Sequence, residues 1–127
     1  MASLTHLDTH VAAWLYVDRR DLLSATARDH IERDELAISP MAILELTYLH
    51  EVGRRRTDGP TVLSSLRDDL GVDLDPTPFG DVVRRAHSCS WTRDPFDRLI
   101  GAQALTAGAQ LLTRDAVLLE HVKSAVW

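Results

Sequence analysis

The chain has 127 residues, of which 45% are hydrophobic and 26% charged, and it carries a formal net charge of -5. This length fits one domain better than two, so residues 1–127 are predicted to form a single domain. The composition is that of a globular protein, and its acidic balance argues against a broad basic surface for nucleic acid. Cys89 is the single cysteine, which excludes an intramolecular disulfide and a cysteine-rich zinc cluster.

The sequence shows neither a basic leader followed by a long apolar stretch nor an apolar run that could span a bilayer. We therefore expect a cytoplasmic protein with no membrane partner.

Apolar spacing predicts alternating strands and helices in the first half of the chain. Ser39 suits a helix N-cap and Pro40 the first helical turn. The predicted elements are a strand at 4–7, a helix with apolar residues from Val11 to Leu23, a helix from Ser24 to about Glu35, a strand at 36–38, and a helix from Pro40 to Val52.

The second half continues the alternation after a charged turn at 54–60. Gly71 and Gly108 are predicted to end two of its helices. The elements are a helix from Val62, a strand at 72–74, a helix at 79–87, a helix opened by Asp94 and Pro95, a strand at 109–113, a helix opened by Asp115, and an edge strand at 125–127. This order predicts an α/β domain with a mainly parallel sheet.

Several acidic residues lie where a predicted strand ends and the next helix begins. Asp8 follows the first strand and Asp115 the fourth. Because the carboxyl ends of parallel strands share one edge of a sheet, these two carboxylates are expected to converge. Asp94 and Asp97 are three residues apart, so a helix places them on one face.

Glu45 is predicted to lie inside the apolar stripe of its helix, with Met41 and Leu49 four residues to either side. A buried carboxylate requires a positive partner. Oxygen-only ligands suit Mg²⁺ or Mn²⁺, which serve phosphoryl chemistry. The alternative for Glu45 is an ion pair with Arg98 across the core.

Each aspartate also has a purely structural interpretation. Asp8, Asp94 and Asp115 are suitable helix N-caps, and Asp97 at the third helical position could complete a capping box. Independent caps do not explain why the acids gather on one sheet edge.

Four segments together resemble the PIN-domain pattern of VapC-type toxins, the ribonuclease halves of bacterial type II toxin–antitoxin pairs. The resemblance covers essentially the whole chain, and its most specific part is Asp-Pro-Phe-Asp-Arg. The chain departs from the pattern at Thr92, where related sequences often carry a histidine. The segments are 7–10, 43–46, 94–104 and 112–115.

The resemblance implies a three-layer α/β/α sandwich with a mainly parallel central sheet. It also implies an acidic cluster whose direct metal ligands are Asp8 and Asp97. Thr113 would form a hydrogen bond within the site, and Asp94 would be an additional acid and metal ligand. The cluster consists of Asp8, Glu45, Asp97 and Asp115, with Asp115 also a metal ligand.

The mechanism that follows is hydrolysis of an RNA phosphodiester by a metal-activated water, with Mg²⁺ or Mn²⁺ as cofactor. Arg93, Arg98 and Arg114 adjoin site acids and are candidate phosphate contacts, with charge balance as the alternative. The resemblance further implies an antitoxin that covers the site, and a homodimer.

Two other functions share features with this sequence. A phosphatase of the haloacid-dehalogenase kind needs a second aspartate two residues after the first, where this chain has His10. The second rival, a non-catalytic PIN-like module that binds RNA or protein, would be indicated by loss of site acids, and none is lost.

Overall fold

Five short strands form one parallel sheet in the computed structural model, which describes residues 3–127. Met1 and Ala2, the first residues of the predicted 1–127 domain, lie outside the described residues. The strands lie in the order β3-β2-β1-β4-β5, and every neighbouring pair is parallel. They are β1 (Leu4–Leu7), β2 (Glu35–Ile38), β3 (Asp73–Leu74), β4 (Gln110–Leu112) and β5 (Ala125–Val126).

Helices cover both faces of this sheet. Right-handed crossovers place α1 to α4 on one face and α5 to α7 on the other, and α1 packs against α3 and α4 while α5 packs against α6. The predicted three-layer α/β/α sandwich is confirmed. The helices are α1 (Thr9–Tyr16), α2 (Ala25–Arg33), α3 (Pro40–Glu51), α4 (Gly59–Leu70), α5 (Phe79–Ala86), α6 (Pro95–Ala107) and α7 (Ala116–His121).

Polar caps and glycines fix most helix ends where the sequence predicts them. The Ser39 hydroxyl accepts a hydrogen bond from the backbone N–H of Met41 at the start of α3. Gly71 and Gly108 adopt the left-handed conformation after α4 and α6, with φ of 69° and 66°, which a side chain would disfavour. Within residues 3–127, no helix is long and apolar enough to cross a membrane.

The first helix is shorter than predicted. The apolar spacing suggested helix as far as Leu23, but α1 ends at Tyr16 and a separate 3-10 turn spans Arg20–Leu22. Asp18 between them has a positive φ of 58°, a conformation that aspartate tolerates better than most residues and that interrupts a right-handed helix.

The main core fills the space between the sheet and its helices. Burying each of its large aliphatic side chains contributes about 1.5–3 kcal/mol. The order in which strands are added to the sheet changes direction between β1 and β4. From β1 the chain adds β2 and β3 on one side, whereas β4 and β5 lie on the other side. A crevice for ligands is expected at the carboxyl ends of these two central strands. Fully buried members of the core include Leu7, Ile38, Leu46, Leu66, Ile100, Leu111 and Leu118.

Candidate active site

Asp8 lies directly after β1, and both oxygens of its carboxylate accept hydrogen bonds. Its side chain is buried, with 4% of the residue exposed. Oδ1 accepts a hydrogen bond from the Thr9 backbone N–H at 2.8 Å, and Oδ2 accepts one from the Thr113 hydroxyl at 2.7 Å. Burial raises the pKa of Asp8, although these two hydrogen bonds oppose the rise. The carboxylate therefore has a fixed orientation at the crevice.

Thr113 links the acid after β1 to the acid after β4. Its buried hydroxyl donates to Asp8 and accepts from the backbone N–H of Asp115 at 3.0 Å. Asp115 is exposed and caps α7, with Oδ1 accepting from the N–H groups of Val117 and Leu118. One buried hydroxyl thus sets the relative position of two site acids.

Asp94 caps α6, but the capping box expected from Asp97 does not form. Asp94 Oδ1 accepts from the backbone N–H groups of Phe96 and Asp97 at 2.9 and 3.1 Å. The N–H of Asp94 donates to the Thr92 hydroxyl at 3.2 Å rather than to Asp97. The Thr92 hydroxyl thus accepts the hydrogen bond that the Asp97 carboxylate would accept in a capping box. Within residues 3–127, the Asp97 carboxylate accepts no hydrogen bond.

Asp97 is a half-buried acid with a strongly raised pKa. Burial, together with the negative charges of four other acids, raises its pKa from 3.8 to about 7. Like charges disfavour ionisation only when they are close. The structure therefore brings Asp97 within electrostatic range of every other predicted site acid, which are Asp94, Asp8, Asp115 and Glu45.

Glu45 projects from α3 toward this cluster and is half-buried. Its Oε1 accepts a hydrogen bond from the Thr9 hydroxyl. Burial raises its pKa, opposed by the Thr9 hydrogen bond and helped by neighbouring aspartates. The predicted apolar stripe is only partly buried, because Leu44 and Tyr48 are 53% and 48% exposed. Glu45 thus lies at the margin of the core rather than within it.

Arg98 is committed to the backbone. Its guanidinium donates to the carbonyl oxygens of Ala86, His87 and Thr92 at 2.8, 3.3 and 3.4 Å. These bonds fix the connection between α5 and α6. The alternative pairing of Arg98 with Glu45 is wrong, because the guanidinium is directed to these carbonyls.

Two basic side chains near the acids were not predicted as site residues. His10 is exposed, and its charge lowers the pKa of both Asp8 and Glu45. The Arg55 guanidinium lies close to this ring, with Nη2 3.5 Å from His10 Nδ1. From the sequence, His10 served only to argue against a phosphatase and 54–60 was predicted as a charged turn, since nothing local shows that this turn folds back onto α1.

A buried polar network beneath the acids was also missed. Asp75 follows β3 and receives hydrogen bonds from Gln103 Nε2 at 2.9 Å and from His6 Nε2 at 2.9 Å. Ser39 donates to Gln103 Oε1 at 2.6 Å. Burial lowers the pKa of His6 despite the opposing charge of Asp75. Asp75 follows its strand just as Asp8 does, so the strand-end rule could have found it.

The acidic side chains do not form a ready-made metal cage. Within residues 3–127, no three His, Cys, Asp or Glu side chains lie where they could hold an ion together. The donor set nevertheless fits a hard divalent cation, because it consists of carboxylate oxygens. Asp94 and Asp115 each use Oδ1 for capping, so Oδ2 is left for a ligand. A cation bound among these carboxylates would relieve the repulsion that contributes to the raised pKa of Asp97.

The chain is similar to proteins of a known family. The PIN domain family profile matches residues 6–123. The chain is 33% identical over 118 residues to Ribonuclease VapC22 of Mycobacterium tuberculosis (strain ATCC 25618 / H37Rv), which covers 91% of this chain and 89% of that protein.

Solved structures share the fold at lower identity. A toxin–antitoxin complex from Klebsiella pneumoniae matches with a TM-score of 0.67 and 18% identity, over 99% of this chain and 97% of that chain. VapBC2 from Rickettsia felis, bound to a DNA fragment from their promoter, matches with a TM-score of 0.66 and 14% identity, over 97% and 96% of the two chains. The predicted resemblance is confirmed, and the chain belongs to the PIN domain family, in its VapC group.

Proposed function

We propose that the protein is a Mg²⁺-dependent endoribonuclease, able to use Mn²⁺, that acts as the toxin of a toxin–antitoxin pair. The observation that carries this proposal is the convergence of five carboxylates at the carboxyl edge of the sheet, where burial and the four neighbouring charges raise the pKa of Asp97 to about 7. Within the described chain, none of the five is in an ion pair with lysine or arginine. A cation is the missing positive partner. The name of the relative VapC22 supports RNA as the substrate class.

The acids divide into two roles in this proposal. Asp8, Asp97, Asp94 and Asp115 hold the cation, and Thr113 keeps Asp8 in its rotamer. Glu45 accepts a proton from the attacking water, a task that suits a carboxylate whose pKa is raised by burial. When bound, Mg²⁺ supplies positive charge that stabilises the developing charge on phosphate and makes water more acidic.

Of the three candidate arginines, Arg93 and Arg114 are proposed to contact RNA, and Arg98 has a structural role. Arg93 and Arg114 are exposed beside Asp94 and Asp115, where their guanidinium groups can donate to the phosphates that flank the scissile bond. Arg98 is the structural one, because its guanidinium donates to carbonyl oxygens between α5 and α6.

The proposed protein partners are an antitoxin and a second copy of this chain. Since the proposed substrate is RNA, the proposed location of these proteins is the cytoplasm. Leu44 and Tyr48 on α3 and Val52 at its C-cap are spaced four residues apart and are 53%, 48% and 51% exposed, which makes an apolar stripe that water disfavours. Tyr48 packs against Phe96, next to Asp97. A segment lying along this stripe would reach the acids, so we assign the stripe to the antitoxin.

The test is cleavage of a defined RNA by protein purified free of antitoxin. The parent protein is expected to cut with Mg²⁺ and to stop when EDTA is added. Its products should carry 5′-phosphate and 3′-hydroxyl ends, because the water attacks in line with the ribose 3′ oxygen. Products ending in 2′,3′-cyclic phosphate would instead show attack by the ribose 2′ hydroxyl and would overturn hydrolysis by water.

Asp8→Asn and Asp97→Asn are expected to abolish cleavage while the fold is retained, as checked by circular dichroism. Asp69→Asn is the matched control, since Asp69 is an exposed acid on α4 outside the cluster. Cleavage by the two site variants at the parent rate would overturn the catalytic assignment. If the folded parent protein bound RNA but cut none with either ion, the non-catalytic PIN-like module would replace it.

A further inference from the structure

Four buried polar side chains form a continuous chain of hydrogen bonds beneath the acids. Ser39 donates to Gln103 Oε1, Gln103 Nε2 donates to Asp75 Oδ1, and Asp75 Oδ2 bonds to His6 Nε2, with lengths between 2.6 and 2.9 Å. The four residues are between 1% and 5% exposed. We refer to Ser39, Gln103, Asp75 and His6 as the buried tie.

The buried tie connects the elements that carry the site acids. His6 lies in β1, two residues before Asp8. Ser39 caps α3, which carries Glu45, and its hydroxyl also accepts from the Met41 backbone N–H at 3.1 Å.

Gln103 lies on α6, six residues after Asp97. It also donates to the backbone carbonyl of Asp75 at 3.3 Å. The tie therefore spans β1, α3 and α6 through the loop that follows β3.

Stability alone does not explain such a group. Replacing buried polar pairs with well-packed apolar residues is often neutral or stabilising, and their best-attested use is to fix one specific arrangement. Among residues 3–127, His6 Nδ1 has no hydrogen-bond partner. A neutral ring with its proton on Nε2 accounts for this, since it leaves a lone pair rather than an N–H unpaired.

We propose that Gln103 is a positioning residue, which sets the axial position of α6 so that Asp97 meets Asp8 at cation-binding distance. The two positions on α6 are about 9 Å apart along the helix axis, so a rigid helix transmits a shift at Gln103 to Asp97. Mg²⁺ requires ligands at about 2.0–2.1 Å in near-ideal geometry. A displacement of about 1 Å can reduce a site's function about 100-fold. This inference rests on the proposed function.

The experiment measures Mn²⁺ binding to the metal-free protein by calorimetry. Gln103→Met preserves length and removes the amide, and Ser39→Ala breaks the same bond from its other end. Each is expected to weaken Mn²⁺ binding about 10-fold or more. The double variant should bind little worse than either single variant, because both remove one shared link.

Two control variants lower stability without touching the tie. Ile100→Val removes a buried methyl group from α6, and Ser24→Ala removes the cap of α2, where the Ser24 hydroxyl accepts from Ala27. Both should bind Mn²⁺ within about twofold of the parent protein although their unfolding temperatures fall. If the tie variants also remain within twofold, or if binding follows unfolding temperature in all four, the positioning role is wrong.

A second readout separates this inference from the proposed function. Failure of the parent protein to bind Mn²⁺ would refute the metal-dependent function. Crystal structures of the metal-free parent and Gln103→Met would still decide the positioning role, through the distance between the Asp8 and Asp97 carboxylates. A change of about 1 Å supports it, and an unchanged distance overturns it.

Discussion

Replacing Asp97 by asparagine is expected to stabilise the metal-free protein above neutral pH even as it abolishes activity. Asp97 is half-buried, accepts no hydrogen bond within residues 3–127, and has its pKa raised from 3.8 to about 7 by burial and by four neighbouring acids. The folded protein therefore holds a proton on Asp97 that the unfolded chain releases. Asparagine keeps the shape of the side chain and removes the charge.

The direction and size of the effect follow from proton linkage. A raised pKa gives stability that is fully present below 3.8 and is lost as pH rises to about 7. At 1.36 kcal/mol for each pKa unit, the full loss is about 4 kcal/mol. Because Asp97 is only half-buried, solvent screening reduces this to about 2 kcal/mol. Asp97→Asn avoids that loss.

The assay is urea unfolding of the metal-free protein in EDTA at about pH 5 and about pH 8. The stability gain of Asp97→Asn over the parent protein should be about 1–2 kcal/mol larger at the higher pH. Adding Mg²⁺ should stabilise the parent and leave the variant nearly unchanged. Asp69→Asn removes one exposed acid and should show no such pH-dependent gain. An equal difference between parent and Asp97→Asn at both pH values would refute the reasoning.

Two further predictions concern the supporting residues. Thr113→Val removes the hydroxyl that donates to Asp8 and accepts from Asp115. It should lower the free energy of unfolding by about 1–3 kcal/mol and weaken Mn²⁺ binding. Unchanged values in both measurements would contradict the role of Thr113 in positioning the two acids. Arg93→Met, measured in the inactive Asp97→Asn background, should reduce the salt dependence of RNA affinity by about one phosphate contact. Arg98→Met should leave that slope unchanged and lower stability by about 1–3 kcal/mol, because its bonds are to carbonyl oxygens; a reduced slope would show that Arg98 contacts RNA.

The elements were predictable where the sequence carries their boundary chemistry. Ser39 before Pro40 marks the start of α3, and Gly108 marks the end of α6 because a left-handed residue ends the helix there. The first helix was overextended since apolar spacing continues through Leu23, whereas the chain is interrupted at Asp18. A single residue in an uncommon conformation has no signal in hydrophobic spacing.

The site was predictable to the extent that strand ends converge. The rule that carboxyl ends share an edge located Asp8 and Asp115 without any contact information. The direction of the Arg98 guanidinium was not predictable, because its partners are carbonyl groups that any sequence would supply. The partner of His6 was also beyond local patterns, since Asp75 is 69 residues away.

Capping and cation binding are compatible roles for the same acids. Asp8, Asp94 and Asp115 each accept backbone N–H groups at a helix start, where the positive end of the helix stabilises negative charge. Asp97 lies in the first turn of α6 but accepts no such N–H within the described chain, and it is the acid whose pKa reaches about 7. The N–H groups at these helix starts favour the ionised carboxylates before any cation arrives, whereas Asp97 lacks such a bond within the described chain and is half-protonated near neutral pH. Cation binding displaces that proton, so ion affinity should rise with pH through about 7, a dependence that Asp97→Asn removes.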